Sequence, residues 1–250
     1  MQKSLEERIK KANRIIFENK DFDEYDKNPS IFDPERQQEI ENILSSYRSE
    51  KLLDVGCGTG NVLRLAAKYY KQCYGADLSY NLVNQLKKRQ PELNLLHADS
   101  YNLPFIDNTF DVVSYYAILH HVYNFKSVLK ESFRVLKKGG ILYIDHDPNY
   151  FFGRIYNIYY RVRFVYKPGF GSKLADDSEW HHTHSGGLNP LSIKAFLEKY
   201  KFSSVDLKFR LTSNSSLSAF QKIIRKMMKI GTKICPAKSL YTHFYIIAKK

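Results

Sequence analysis

Leu52-Leu53-Asp54-Val55-Gly56-Cys57-Gly58-Thr59-Gly60-Asn61 is the stretch whose reading decides the fold. A short apolar run enters three alternating glycines, and a helical pattern over 61–70 follows. Glycine takes φ > 0 without penalty and lets a ligand come close to the backbone. The first turn of the following helix presents unpaired N–H groups to anionic ligand atoms. In a doubly wound sheet such a turn lies at the C-terminal strand edge, where ligands bind.

Working outward, strand patterns recur at 73–77, 93–98, 110–115 and 141–145. Helical patterns at 80–89 and 125–136 separate them, so the alternation predicts an α/β fold with a mostly parallel sheet and helices on both faces. Asp77 ends the second strand, where a carboxylate can hold both hydroxyls of a ribose. Asp99 and Ser100 follow the third and suit the edge of an adenine. The glycine spacing is G-x-G-x-G with Val62 and Leu63 after it, not the G-x-G-x-x-G of a dinucleotide site.

Together, LLDVGCGTGN, GADLS (75–79), HADSYNLPFIDNTFDVV (97–113), ILHHV (118–122) and FRVLKKGGILYI (133–144) resemble class I S-adenosylmethionine-dependent methyltransferases. The resemblance is to the small-molecule and lipid branch that includes the ubiquinone/menaquinone-type enzymes. It implies a Rossmann-like seven-stranded sheet, mostly parallel, with the last strand antiparallel, and S-adenosylmethionine as cofactor. By matching position, Asp54, Gly56, Cys57, Gly58 and Gly60 would hold the methionine part. Asp77 would take the ribose, Leu78 would pack on the adenine, and Asp99 with Ser100 would meet its edge. Tyr116 and Ala117 would border the reacting centre, and Tyr25 would close over the cofactor.

Methyl transfer from a sulfonium is an in-line displacement, so alignment and water exclusion dominate, and a base matters only where the nucleophile carries a proton. Asp145, His146, Asp147, His120, His121, His181, His182 and His184 cluster where such a base would stand, and His146, His121 and His184 are the candidates taken. The H-H-x-H pattern at 181–184, in a turn-rich stretch, lacks the helical spacing of a metal site, and no metal is expected there.

The rest of the chain bears on the acceptor. Of 250 residues, 39 are basic and 26 acidic, a net charge of +13. Residues 1–149 are formally neutral, whereas 150–250 hold 18 basic and 5 acidic side chains. The organisation expected is an N-terminal helical segment, 1–50, and a methyltransferase domain, 51–250, with a substrate cap at about 147–190. Within that cap, 150–166 carries eight aromatics and three arginines, the composition of a wall against a lipid-like, aromatic or anionic acceptor. Helix 217–230 has a basic face that suits either solvent or peripheral contact with an anionic membrane.

The expected activity is methyl transfer to a small-molecule acceptor, with RNA methylation second and a non-catalytic binding module third. The Asn/Asp-Pro-Pro-Tyr/Phe motif of amino-directed DNA methylases is absent after the fourth strand. No leader-like or membrane-spanning apolar run occurs, and three cysteines (Cys57, Cys73, Cys235) suit a reducing compartment, so a cytoplasmic location is expected.

Overall fold

A computed structural model describes residues 2–27, 34–154, 172–211, 226, 228–233 and 237–250. Its strands are β1 (Ser49–Val55), β2 (Tyr70–Asp77), β3 (Asn94–His97), β4 (Phe110–Tyr116), β5 (Leu136–Pro148), β6 (Ser204–Arg210) and β7 (His243–Lys249). They form one sheet in the order β3-β2-β1-β4-β5-β7-β6. Neighbours from β3 to β5 run parallel, and β7 lies antiparallel between β5 and β6. The sheet is thus the seven-stranded one expected, with the last strand reversed.

The helices are α1 (Gln2–Glu18), α2 (Phe22–Asp26), α3 (Pro34–Ser46), α4 (Asn61–Ala66), α5 (Tyr80–Arg89), α6 (Phe125–Val135), α7 (Lys173–Ser178), α8 (Trp180–Ser185) and α9 (Pro190–Lys199). Side-chain caps mark several starts. Ser79 accepts the Leu82 N–H ahead of α5, and Asn189 accepts those of Leu191 and Ser192 with Pro190 opening α9.

Alternation along the strands sends side chains to two cores. Leu53, Val55, Val113, Tyr115, Leu142, Ile144, Phe244 and Ile246 face one, with Val128 and Leu129 of α6 and Ile193 and Leu197 of α9. Leu52, Val112 and Tyr143 face the other, with Ile40 and Leu44 of α3, Val62 and Leu63 of α4, and Leu82 and Leu86 of α5. Phe22 of α2 and Ile40 and Leu44 of α3 therefore pack in the same core as these sheet residues.

Several boundaries differ from the sequence pattern. Helix α4 stops at Ala66, because the chain must turn through 67–69 before Tyr70 pairs with Ser49. Strand β5 reaches Pro148 and steps past a bulge at His146, whose φ is +67°. The turn-rich stretch 167–190 contains α7 and α8, and Ser172 caps α7 by accepting the Ala175 N–H. Of the aromatic run 150–166, residues 150–154 are helical and the remainder lies outside the described residues. The same holds for 217–225 and 227 of the basic helix and for Cys235; residue 226 and residues 228–233 are helical. No helix among the described residues is long and apolar enough to cross a membrane.

Candidate active site

The glycine loop emerges from β1 with φ of +73° at Gly56, +50° at Gly58 and +85° at Gly60. A Cβ on Gly56 would stand 2.3 Å from Ile118 Cδ1, so a side chain there would collide as well as strain the turn. The N–H groups of Gly56 and Cys57 donate to the Ala76 carbonyl at 2.7 and 3.2 Å, and Gly58 N–H donates to Asp77 Oδ2 at 2.8 Å. The loop is thereby tied to the end of β2.

Two clefts meet over this loop, sharing Tyr25, Gly56, Gly58, Ile118 and His121. The first holds about 730 Å³ of space, mouth included, and is walled by Asp77, Leu78, Asp99, Ser100 and Tyr101 on the sheet side. Asp77 is buried; its Oδ1 accepts the Ser79 N–H at 2.8 Å, and burial raises its pKa against the two backbone donors that lower it. Asp99 takes the Tyr101 N–H at 3.0 Å and pairs with Lys10 Nζ at 3.0 Å.

Lys10 belongs to α1, which forms the opposite wall with Ile9, Asn13 and Phe17. These residues are missing from the sequence reading. The signal was present in the spacing Ile9, Asn13, Phe17, one face of a helix, but such a face also describes ordinary core packing. Asn13 Nδ2 donates to the His121 carbonyl at 2.9 Å, and Ser178 Oγ donates to Asn13 Oδ1 at 2.8 Å, so α1 joins the β4 loop to α7.

The second cleft opens on Asp54, Cys57, Thr59, Asn61, Tyr116, Ala117, His120 and His146. Asp54 is buried and accepts Ser114 Oγ at 2.7 Å; burial raises its pKa to about 7, the Ser114 hydrogen bond opposing and Asp77 adding to the rise. Burial also pushes the Cys57 thiol well up. Ala117, with φ of +58°, turns the chain away from β4. Gly60 lines neither cleft; it caps α4 and sits against Leu86. Tyr25 lies over the loop, its ring 3.5 Å from where a Gly58 Cβ would be.

The three chosen histidines separate in space. His146 is stacked between Tyr116 (5.2 Å, 10°) and His243 (4.3 Å, 7°), and burial lowers its pKa well below the usual value. His121 lines both clefts, with Nδ1 2.7 Å from the Ser178 carbonyl. His184 lines neither: it stacks on Trp180 at 3.7 Å, because helix α8 turns it away from the sheet edge. His181 is also turned aside, to the Val122 carbonyl at 3.0 Å. The buried pair that forms instead is His120 and Asp147, Nδ1 to Oδ1 at 2.8 Å, with the His120 N–H on the same oxygen at 2.9 Å.

Next to His146 in the chain, buried Asp145 is held by Arg210 Nη1 at 2.9 Å and Tyr143 Oη at 2.5 Å, and Arg210 also meets Glu39 at 2.8 Å. Two buried polar atoms of residues lining this cleft, Asn61 Nδ2 and Tyr116 Oη, have no hydrogen-bond partner among the described residues. Unpartnered donors at depth are costly and call for a polar ligand group. A cleft with two strand-end carboxylates on one side and such donors on the other fits a ligand with a nucleoside at one end and an amino-acid head at the other.

A family model described as methyltransferase domain matches residues 53–144. A demethylmenaquinone methyltransferase of Geobacillus sp. (strain WCH70) is 31% identical over 192 residues, which cover 72% of this chain and 80% of that protein. The namesake of Staphylococcus epidermidis is 34% identical over 152 residues, 57% of this chain and 62% of that protein. Among solved structures, an S-adenosylmethionine-dependent methyltransferase from Archaeoglobus fulgidus has a TM-score of 0.56 at 19% identity, covering 86% of this chain and 92% of that one. A phosphoethanolamine N-methyltransferase from Haemonchus contortus, in complex with S-adenosyl-L-methionine, gives 0.55 at 17%, covering 85% and 52%. The fold, the ordered motifs and these relatives agree: the chain belongs to the class I S-adenosylmethionine-dependent methyltransferases, in their quinone-methyltransferase-like branch.

Proposed function

We propose that this enzyme methylates a small lipid-like aromatic acceptor of the quinol class, bound beside Tyr116, Ala117 and His120. The observation that carries the reading is the pair of clefts meeting at Gly56–Gly58, one suited to a nucleoside and the other continuing past it toward buried imidazoles. Demethylmenaquinone, the acceptor in the names of the relatives, supports the acceptor class.

In this reading Asp77 receives the ribose hydroxyls, and Asp99, kept in place by Lys10, faces the adenine edge with Leu78 against the ring. Asn61 and Tyr116 meet the amino-acid head, with Asp54 below them. Bound S-adenosylmethionine supplies an electrophilic methyl group with its leaving group already charged. The protein's share is to align the acceptor on the opposite side of that methyl and to exclude water, for which Tyr25 is placed as a cover.

Calorimetry with S-adenosylmethionine, followed by mass spectrometry of a short-chain naphthohydroquinone incubated with enzyme and cofactor, tests the reading. A product heavier by one methyl group is expected. Cofactor binding with no methylation of any hydroquinone would remove the acceptor assignment.

A further inference from the structure

The histidines grouped by sequence in the cap diverge, but a different set converges on the wall of the second cleft. His120 and His121 lie on the 3₁₀ turn Leu119–His121, and Glu179 joins α7 to α8. One nitrogen of each ring and one carboxylate oxygen lie within 4.8 Å of each other.

The proton positions follow from the hydrogen bonds. His120 Nδ1 stands 2.8 Å from Asp147 Oδ1, which also takes the His120 backbone N–H. A carboxylate engaged this way accepts, so the ring proton is on Nδ1 and the lone pair on Nε2. That Nε2 is 3.5 Å from Glu179 Oε2, a second acceptor. His121 Nδ1 is 2.7 Å from the Ser178 carbonyl, which can only accept, and 4.0 Å from Glu179 Oε1. The two imidazoles, with ring centroids 4.0 Å apart, and the Glu179 carboxylate thus crowd one small space, each offering one ligand atom to it. A carboxylate facing two ring nitrogens favours a cation, a metal ion or a proton, between them.

We propose that His120, His121 and Glu179 form a binding site for one divalent transition-metal ion, with Asp147 and Ser178 as the outer partners that orient the two rings. Histidines that ligate metals donate their other ring N–H to a carboxylate or carbonyl, which is the arrangement found on His120, and the Ser178 carbonyl stands beside the His121 ring. Two imidazoles and one carboxylate suit zinc, cobalt or iron in preference to magnesium or calcium. Bonds of about 2.0–2.2 Å in a tetrahedral site put ligand atoms roughly 3.4 Å apart. The 3.5 Å between His120 Nε2 and Glu179 Oε2 already matches that edge, and the separations of up to 4.8 Å would narrow on binding.

Three protein ligands leave a position open to the cleft that His120 and His121 line. A hydroxyl oxygen of the acceptor would fill it and be held in register for transfer. This second part rests on the quinol reading above, whereas the ion site does not.

The test uses the full chain, stripped of metal by a chelator and then freed of it. Cobalt(II) is titrated by visible absorption and zinc(II) by calorimetry, with no cofactor or acceptor present, so the result is independent of the acceptor assignment. One equivalent of each ion should bind, with the intense visible bands of four- or five-coordinate cobalt. His120→Asn and Glu179→Gln should abolish stoichiometric binding, and Asp147→Asn should weaken it by about 10- to 100-fold. His184→Ala, exposed on α8, should bind as the wild type does. S-adenosylmethionine calorimetry on every variant reports that the pocket is folded.

Absence of stoichiometric cobalt binding in protein that binds the cofactor would overturn the proposal. So would wild-type affinity in Glu179→Gln, or loss of binding in His184→Ala. Nitrogen NMR showing His120 protonated on both ring nitrogens with zinc present would also overturn it, since a proton would then occupy the ion's place.

Discussion

Replacing Asp54 by asparagine should stabilise the protein at alkaline pH and have progressively less effect as pH falls. Asp54 is 2% exposed, and burial raises its pKa from the ordinary 3.8 to about 7. The folded state therefore holds the proton more tightly than the unfolded chain does. Stability is undiminished below the unfolded value, is lost as pH rises from 3.8 toward 7, and carries its full cost above that. At about 1.4 kcal/mol per pH unit, the rise corresponds to a cost of about 4 kcal/mol.

Asparagine keeps an oxygen for Ser114 Oγ and removes the titration. Urea unfolding of both proteins across pH, with midpoints and slopes compared, isolates this residue because every other group cancels in the difference. The variant's advantage should grow by roughly 2–3 kcal/mol between about pH 5 and pH 8, then level off. A difference that stays flat over that interval would refute the reasoning. A ligand ammonium beside Asp54 favours its ionised form, so cofactor binding near neutrality should release protons, seen by calorimetry in buffers of different ionisation enthalpy.

Three further outcomes follow from the geometry. Asp77→Ala should weaken S-adenosylmethionine binding by roughly 2–3 kcal/mol, as expected for losing charged hydrogen bonds, while Asp77→Asn should lose less; equal affinities in calorimetry would move the ribose elsewhere. Gly56→Ala should lower stability by at least about 1–2 kcal/mol from backbone strain alone, and by more than Gly58→Ala, because only the former meets Ile118 at 2.3 Å; thermal melts decide the order. Arg210→Met should cost about 3–5 kcal/mol by leaving Asp145 buried without its cation, and an unchanged unfolding midpoint would contradict that.

How much of this was legible in the sequence depends on how local the cause is. Asp77 and Asp99 follow from strand ends and the glycine loop from turn chemistry, which act within a few residues, whereas Tyr116 and Ala117 come through the family resemblance; apart from Gly60, these positions line the two clefts. His184 did not follow, because the pitch of α8 and its stack on Trp180 decide where the ring goes. Lys10 and Asn13 were invisible for a related reason: a helix's buried face is readable, but not which cleft that face closes. Glu179 meets His120 and His121 only through packing between distant elements, and no spacing rule spans that gap.

The placement of β7 carries a consequence for how the molecule is made. Residues 49–148 can lay down β3-β2-β1-β4-β5 as they leave the ribosome, since each of these strands finds its neighbour within that span. Strand β6 is synthesised earlier than β7 but, among the described strands, pairs with it alone, so it waits. Until residues 243–249 appear, the growing chain shows an open strand edge on β5, a surface prone to capture by other chains. Arg210 reaches Asp145 across this late-closing side, so that buried ion pair is fixed late. A ribosome stalled short of the final strand should therefore hold a nascent chain in which β1, β2 and the glycine loop have formed before β7 fixes β6 and its Arg210 beside Asp145.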